Sequence, residues 1–177
     1  MQESIAEATI GFAKIAISED QRKRFSFGTY NDRRLDNKQV EKLRESLVSK
    51  GVQWFNSKNL LPLLVPTAEY LDETSFTKDI TMGPNLPELK LSAKGESEYP
   101  QYIWASGQHR VEALIRHRKA MKEKIESLRE EQAKLEITSE EHPVILVRLE
   151  KLELELESTT HWGVAIYNES KWSRSYA

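Results

Sequence analysis

The chain has 177 residues, of which 38% are apolar and 31% charged, and its formal net charge at pH 7 is -2. This length favours one domain, the charge argues against a globally basic nucleic-acid binder, and no apolar run is long enough to cross a membrane. Cysteine is absent, which excludes disulfides, thiolate metal ligands and cysteine nucleophiles. The first residues also lack the basic and apolar segments of a signal peptide, so we expect an intracellular protein, cytoplasmic or nuclear.

Three segments in the first part of the chain have secondary-structure patterns. Residues 9–18 alternate loosely and fit a strand or a short helix. In LDNKQVEKLRESLVSKG, apolar residues recur at helical spacing, Asp36 is a good N-cap and Gly51 follows the last turn. The apolar run Leu61–Val65 predicts a buried strand with Pro62 near its start.

A segment of weak periodicity comes next. Residues from about 72 to 99 hold many turn-forming residues and few apolar anchors, which predicts a long loop. The sequence QYIWA has strand character, and a helix is predicted from Gln108 to about Glu136. Apolar residues at heptad-like spacing form a seam along this helix: Leu114, Met121, Ile125, Leu128 and Leu135.

A second long helix is predicted after Ile137, with Thr138 or Ser139 as its cap. Its own apolar seam contains Ile145, Leu149, Leu152 and Leu156. Two seams joined by a short turn predict an antiparallel helical hairpin, although the alternation in LELELE also fits a strand. HWGVAIYNES predicts a final buried strand. The order of elements indicates an α/β or α+β fold with a small mixed sheet, as a single domain over residues 1–177.

The stretch YIWASGQHRVEAL, residues 102–114, has the features of an anion site. It leads from a strand through a glycine turn into a helix start, where unpaired backbone N–H groups and the positive end of the helix dipole are concentrated. Gly107 lets a ligand approach the backbone closely. His109 and Arg110 are disfavoured at a helix start unless an anion lies nearby, and both can hydrogen-bond a phosphate. The alternative is a solvent-facing His-Arg pair.

A second group of polar residues belongs to the first predicted long helix. Arg33 and Arg34 come just before it, and Lys42 and Ser46 share one of its faces. If this helix packs beside the helix that follows Gly107, both groups can converge on the same anion. Otherwise Lys42 and Ser46 are an ordinary exposed pair.

Three segments together resemble the ParB N-terminal domain/sulfiredoxin superfamily: NDRRLDNKQVEKLRESLVSKG, LLPLLV and YIWASGQHRVEAL. They occur in the family's order of elements, and the resemblance covers roughly residues 15–118 and the strand near Trp162. His109 and Arg110 match the His-Arg of the sulfiredoxin motif, and Ala113 matches the small residue that follows. The resemblance implies a ParB/sulfiredoxin-like fold in which the helical hairpin, about residues 119–158, is an insertion before the last strand.

The family binds nucleotides at this turn, so the resemblance implies phosphate or nucleotide contacts from both segments. The implied residues are Ser106, Gly107, Gln108, His109, Arg110, Arg33, Arg34, Lys42 and Ser46. The family lysine one turn before Lys42 is Gln39 here. Gln108 stands where sulfiredoxin has its cysteine, so sulfinic-acid reduction is excluded because the thiol nucleophile is missing. The helix-turn-helix module and arginine-rich box of chromosome-segregating ParB are not recognisable, which leaves the ParB-like type often assigned as a nuclease.

The sequence does not indicate a metal site made by the protein itself. No compact acidic cluster lies near the turn, and the histidines do not have metal-ligand spacing. They are His109, His117, His142 and His161. Magnesium is expected only as the companion of a bound nucleotide, and His117 is expected on a helix surface.

Three functions remain open. In the first, the chain is an enzyme that acts on phosphate esters, as a ParB-like DNase, a nucleotide hydrolase or a kinase, with His109 as general acid beside Arg110. In the second, it binds a nucleotide or DNA without turnover, and the basic residues 22–24 follow a nucleic-acid backbone. In the third, the helical hairpin binds a protein partner or a second copy of the chain through an exposed seam.

Overall fold

The computed structural model describes residues 7–27, 30, 34–98, 101–135 and 141–175. Within them, the strands are β1 (Thr9–Ala16), β2 (Phe25–Ser26), β3 (Leu61–Val65), β4 (Tyr102–Trp104) and β5 (His161–Asn168). The α-helices are α1 (Glu19–Arg22), α2 (Asn37–Lys50), α3 (Ala93–Glu98), α4 (Gln108–Lys134), α5 (Glu141–Ser158) and α6 (Glu169–Ser175). Short 3-10 helices lie at Ser57–Asn59, Ala68–Tyr70 and Ile80–Asn85.

The five strands form one mixed sheet in the order β1-β5-β3-β4-β2. Strand β5 is antiparallel to β1 and parallel to β3, while β4 is antiparallel to β3 and parallel to β2. The mixed α/β class predicted from the order of elements is therefore confirmed, and the ambiguous segment near the start is a strand. Among the described helices, none is both long and apolar enough to cross a membrane.

Local sequence signals explain where the elements near the glycine turn begin and end. Helix α2 starts where the Asp36 carboxylate accepts a hydrogen bond of 2.9 Å from the Lys38 backbone N–H, and Gly51 follows its last residue with φ of 73°. Strand β3 tolerates Pro62, which has no N–H to donate, because this residue lies where the pairing with β4 ends. Its partner Ala105 follows the last residue of β4 and donates its N–H to the Pro62 carbonyl at 3.0 Å.

The main hydrophobic core lies between one face of the sheet and helices α2 and α4. In β5, Trp162, Val164 and Ile166 point into this core, because alternate side chains of a strand face the same side. Leu114 of α4 is fully buried in the same cluster. It therefore packs on the sheet and does not belong to the hairpin seam in which the heptad pattern placed it.

The predicted hairpin is confirmed for α4 and α5. Ile125, Leu128, Ile145 and Leu149 form a second buried cluster, against which Leu135, Leu152 and Leu156 pack. The alternative in which LELELE forms a strand is wrong, since this segment is helical. The proposed caps Thr138 and Ser139 lie outside the described residues.

Two polar side chains of α4, those of His117 and Arg118, contact the C-terminal part of α5. His117 is buried, and its Nε2 lies 3.6 Å from Glu155 Oε1 on α5, so the expectation of a surface position for His117 is wrong. Arg118 donates hydrogen bonds to the Leu156 carbonyl at 2.8 Å and to Thr159 Oγ1 at 3.1 Å. Arg118 therefore adds a second donor to the Leu156 carbonyl at the end of α5, which also accepts a hydrogen bond of 2.9 Å from Thr159 Oγ1.

The segment from about 72 to 99 is better anchored than its sequence predicts. It contains α3, and Leu86, Leu89 and Leu91 are buried. Its backbone also covers the outer edge of β1, where the Leu89 N–H donates to the Lys14 carbonyl at 2.8 Å. The expectation of few apolar anchors is therefore wrong, and a sheet edge that could pair with another chain is protected.

Candidate functional site

Two helix N-termini meet at the glycine turn between β4 and α4. Gly107 precedes α4 with φ of 102°, and no side chain of the described residues caps this helix. The first intrahelical hydrogen bond runs from the Val111 N–H to the Gly107 carbonyl, so the earlier N–H groups of the turn have no partner within the helix. Beside them, His109 Nε2 accepts a hydrogen bond of 2.9 Å from the Asp36 backbone N–H at the start of α2.

The contact with Asp36 defines the chemistry of His109. Because Nε2 accepts a hydrogen bond, a neutral imidazole must carry its proton on Nδ1. His109 therefore joins the starts of the two helices and retains one N–H donor for another partner. A role in proton transfer would use Nδ1, since Nε2 is held by the backbone.

A cavity of about 410 Å³ opens at this meeting point. Its walls are Tyr30, Arg34, Asp36, Gln39, Ala105, Ser106, Gly107 and His109. The charged side chains among them are Arg34 and Asp36, and one Asp36 carboxylate oxygen is already engaged by the Lys38 N–H. The exposed guanidinium of Arg34, the uncapped start of α4 and the His109 ring thus face one space.

A larger cleft of about 790 Å³ adjoins the cavity, and Tyr30, Ala105 and Ser106 contribute to both. Its walls include Tyr167 of β5 and Trp172 of α6, whose ring centroids are 4.5 Å apart. The Tyr30 hydroxyl donates a hydrogen bond of 3.1 Å to Glu169 Oε1. Burial, and then the neighbouring Glu169 carboxylate, raises the pKa of Tyr30, which keeps this hydroxyl protonated as a donor.

Arg110 lies away from this cavity. Its Nη1 donates a hydrogen bond of 3.1 Å to the Asn59 carbonyl, which also accepts one of 2.8 Å from Trp162 Nε1. Arg110, Ser46 and Lys50 line a separate pocket of about 210 Å³. His109 and Arg110 therefore line different pockets, and their joint binding of one anion stays a prediction.

The remaining predicted site residues also lie in different places. Arg34, Ser106 and Gly107 line the cavity, whereas Lys42 is exposed and belongs to neither set of walls. The Gln108 side-chain oxygen is buried and has no hydrogen-bond partner among the described residues. Arg33 lies outside the described residues.

Two of the three basic residues at positions 22–24, Arg22 and Arg24, are engaged within the protein. Arg22 lies 2.6 Å from the largely buried carboxylate of Glu112. Arg24 pairs with Glu96 at 3.0 Å and lies over the ring of Tyr102. These contacts do not favour the expected role of this segment in following a nucleic-acid backbone.

Several cavity and cleft residues were not identified from the sequence. Alternation along β5 could have indicated Tyr167, because it lies on the face opposite the core residues Val164 and Ile166. Tyr30 and Trp172 carry no comparable local signal. Among the described residues, no group of three or more His, Asp or Glu side chains is arranged to hold a metal ion.

Comparison with protein-family models, curated proteins and solved structures finds no match to this chain. The function proposed below therefore depends on the geometry and chemistry of the cavity and the cleft.

Proposed function

We propose that the cavity at the start of α4 binds the phosphate of a nucleotide or of a nucleic acid. The observation that carries this proposal is the uncapped, glycine-preceded start of α4, which faces the same 410 Å³ cavity as Arg34 and His109. Backbone N–H groups at a helix start suit an anion because they are unpaired and lie at the positive end of the dipole. Arg34 supplies a formal charge, and His109 supplies Nδ1–H as a further donor.

The adjoining cleft supports a nucleotide over a bare inorganic anion. A base can stack on an aromatic side chain, whichever base it is. Tyr30 contributes to both the cavity and the cleft, and Tyr167 and Trp172 add aromatic surface further from the turn. A ligand with its phosphate at Gly107 can therefore extend its base or sugar into the cleft.

Binding without turnover is the version of this function that the geometry supports best. His109 is held through Nε2 by the Asp36 N–H, and Arg110 is directed to the Asn59 carbonyl. Hydrolysis of a phosphate ester by a DNase or nucleotidase is the second candidate, with His109 acting through Nδ1 and Mg²⁺ entering with the nucleotide. Membership of the ParB/sulfiredoxin superfamily is part of the same proposal, supported by the order of strand, capped helix, strand, glycine turn and helix.

The test is a titration of wild-type protein and an Arg34→Ala variant with ATP, CTP and a short DNA duplex, with and without magnesium, at fixed salt. Loss of a charge-assisted hydrogen bond costs about 1.5–3 kcal/mol, so affinity should fall roughly 10- to 100-fold. Arg129→Ala is the matched control, because it removes the same charge from an exposed position on the hairpin. It should leave affinity unchanged.

An Arg110→Ala variant distinguishes the two pockets. If it lowers affinity while Arg34→Ala does not, the phosphate binds in the smaller pocket beside Trp162. Equal binding by wild type, Arg34→Ala and Arg110→Ala for every ligand would contradict the phosphate-site proposal. Phosphate release from a nucleotide or cutting of the duplex, lost in His109→Ala, would favour the enzyme.

A further inference from the structure

The pocket of about 210 Å³ between α2, α4 and β5 shares no wall residue with the cavity at the glycine turn or with the cleft. We call it the small pocket. Its apolar walls are Leu43 and Leu47 of α2, Ala113 of α4 and Trp162 of β5. An apolar cavity of about 150 Å³ can hold a benzene ring. The small pocket therefore has room for a molecule with one aromatic ring or a short aliphatic chain.

The charged side chains that line the small pocket are both cations. Arg110 comes from the first turn of α4 and Lys50 from the last turn of α2, and none of the described wall residues is an aspartate or glutamate. Neither cation forms an ion pair with another described residue. The charge of this pocket is therefore complementary to an anion.

The lack of a carboxylate partner matters most for Arg110, which is half-buried. Among the other half-buried arginines, Arg24, Arg44 and Arg116 each pair with a glutamate. Arg118 has no carboxylate partner, but it donates to two oxygen atoms near the end of α5. Arg110 donates only to the Asn59 carbonyl. Because a guanidinium has several N–H donors, Arg110 keeps donors for another partner.

The Asn59 carbonyl places the charge of Arg110 beside the apolar wall. It accepts hydrogen bonds both from Arg110 Nη1 at 3.1 Å and from Trp162 Nε1 at 2.8 Å, so the guanidinium and the indole lie next to one another. Burying part of a charge without an opposite charge costs free energy. An anion bound in the small pocket would offset this cost.

Arg110 contributes more to the attraction for an anion than Lys50 does. Lys50 is exposed and lies at the negative end of the α2 dipole, which offsets part of its charge. Arg110 lies at the positive end of the α4 dipole, which adds to the effect of its own charge. We therefore expect the anionic group of a ligand on Arg110, with Lys50 as a weaker second contact.

We propose that the small pocket binds a small carboxylic acid with an apolar body. The carboxylate pairs with Arg110, and the ring or chain packs against Leu43, Leu47 and Trp162. A carboxylate suits this position because its two oxygens match the planar edge of a guanidinium. This site is separate from the phosphate-binding cavity and does not depend on the function proposed for that cavity.

Nuclear magnetic resonance of ¹⁵N-labelled protein, with sodium benzoate as the probe, tests the proposal. The indole N–H groups of Trp162 in the small pocket and Trp172 in the cleft report on the two places. Their signals are assigned with Trp162→Phe and Trp172→Phe variants. Benzoate should shift the Trp162 signal to saturation and leave the Trp172 signal unchanged. Sodium hexanoate is titrated in parallel, because the apolar body can be a ring or a chain. Saturable binding of either acid supports the proposal, and binding of neither overturns it.

Two related molecules test the chemistry of the ligand. Benzamide keeps the ring but is neutral, and acetate keeps the charge but lacks the apolar body. Each should bind more weakly than benzoate, by roughly tenfold or more. Benzamide that binds as tightly as benzoate would show that the cations have no part in binding, and would overturn the proposal.

Substitutions test the role of the two cations. Arg110→Met removes the guanidinium and should lower the affinity for benzoate roughly 10- to 100-fold. Lys50→Glu places an acid at the same pocket from an exposed position and should also weaken binding. Lys124→Glu is the matched control, because it reverses the same charge about 20 Å further along α4. It should leave the affinity unchanged.

Far-UV circular dichroism checks that Arg110→Met folds. A folded Arg110→Met protein that binds benzoate as wild type does overturns the proposal. If the variant does not fold, the exposed pair decides, and equal binding by Lys50→Glu and Lys124→Glu overturns the proposal.

A benzoate titration in the presence of ATP separates this site from the phosphate site. ATP that binds without changing the affinity for benzoate supports two independent sites. Competition between ATP and benzoate at the Trp162 signal would make the small pocket part of the phosphate site and would overturn the proposal of a separate acid site. If ATP does not bind at all while benzoate does, the proposed phosphate function fails and the acid site is supported.

Discussion

Replacing Gly107 with alanine tests how tightly the turn before α4 is built against the sheet. The backbone of Gly107 has φ of 102°, a left-handed conformation that costs other residues roughly 1–2 kcal/mol. An added Cβ would also lie 2.4 Å from Leu61 Cδ2. Leu61 is fully buried in β3, so it must shift within a packed core, at a cost of about 1–3 kcal/mol. The free energy of unfolding should therefore fall by roughly 2–5 kcal/mol.

Gly51→Ala is a control for backbone strain without a steric contact. Gly51 also has a positive φ, of 73°, but an added Cβ meets no atom within 4 Å. Its ψ of 170° lies in a region that is essentially restricted to glycine, so its cost should be the conformational one alone, of the order of 1–3 kcal/mol. Urea denaturation followed by far-UV circular dichroism measures both variants against wild type.

The contact with Leu61 can be isolated with a double-mutant cycle. In a Leu61→Ala background the side chain that the new Cβ would meet is gone, so Gly107→Ala should cost only its conformational part, about 1–2 kcal/mol. The reasoning fails if Gly107→Ala costs no more than about 1 kcal/mol in the wild-type background. It also fails if the cost is the same with and without the Leu61 side chain, because the two sites would then be independent.

Two further predictions concern the hairpin. Leu128→Asp should lower the free energy of unfolding by several kcal/mol, because it puts an unpaired charge between α4 and α5. Leu154→Asp, at an exposed position of α5, is the control and should change the free energy of unfolding by less than about 0.5 kcal/mol at low protein concentration. Equal effects of the two substitutions would show that the seam is not buried. Burial lowers the pKa of His117 from its ordinary value of 6.5, against an opposing effect of Glu155. The unfolded chain therefore binds more protons below about 6.5, so stability should fall as the pH drops from 6.5 toward the folded-state pKa. Urea midpoints across this range should show a weaker pH dependence for His117→Gln, and an unchanged dependence would contradict the assignment.

Helix ends, helical seams and turns depend mainly on residues that are close together in the sequence, so these features could be predicted from it. Asp36 and Gly51 bound α2 because a cap and a left-handed glycine act on the helix end beside them. The seams of α4 and α5 identify the hairpin because their spacing repeats over many turns. The glycine turn before α4 was predicted for the same reason, since Gly107 directly joins a strand to a helix.

The composition of the site depends on tertiary structure. His109 and Arg110 are consecutive on a helix, so their side chains point in different directions; one reaches Asp36 and the other the Asn59 carbonyl. The motif alone does not show which neighbour each side chain meets. Tyr30 lines both the cavity and the cleft, and Trp172 lines the cleft, although both residues are far from Gly107 in the sequence.

The local elements, the hairpin and the glycine turn follow from the amino-acid sequence, because each depends on short-range backbone preferences and on periodic burial. Tertiary packing places Leu114 on the sheet, buries His117 and directs the two basic residues of the turn to separate pockets. These outcomes depend on which surfaces meet when α2 and α4 pack on one side of the sheet. Side-chain surroundings of this kind are set by distant residues, which local patterns do not encode.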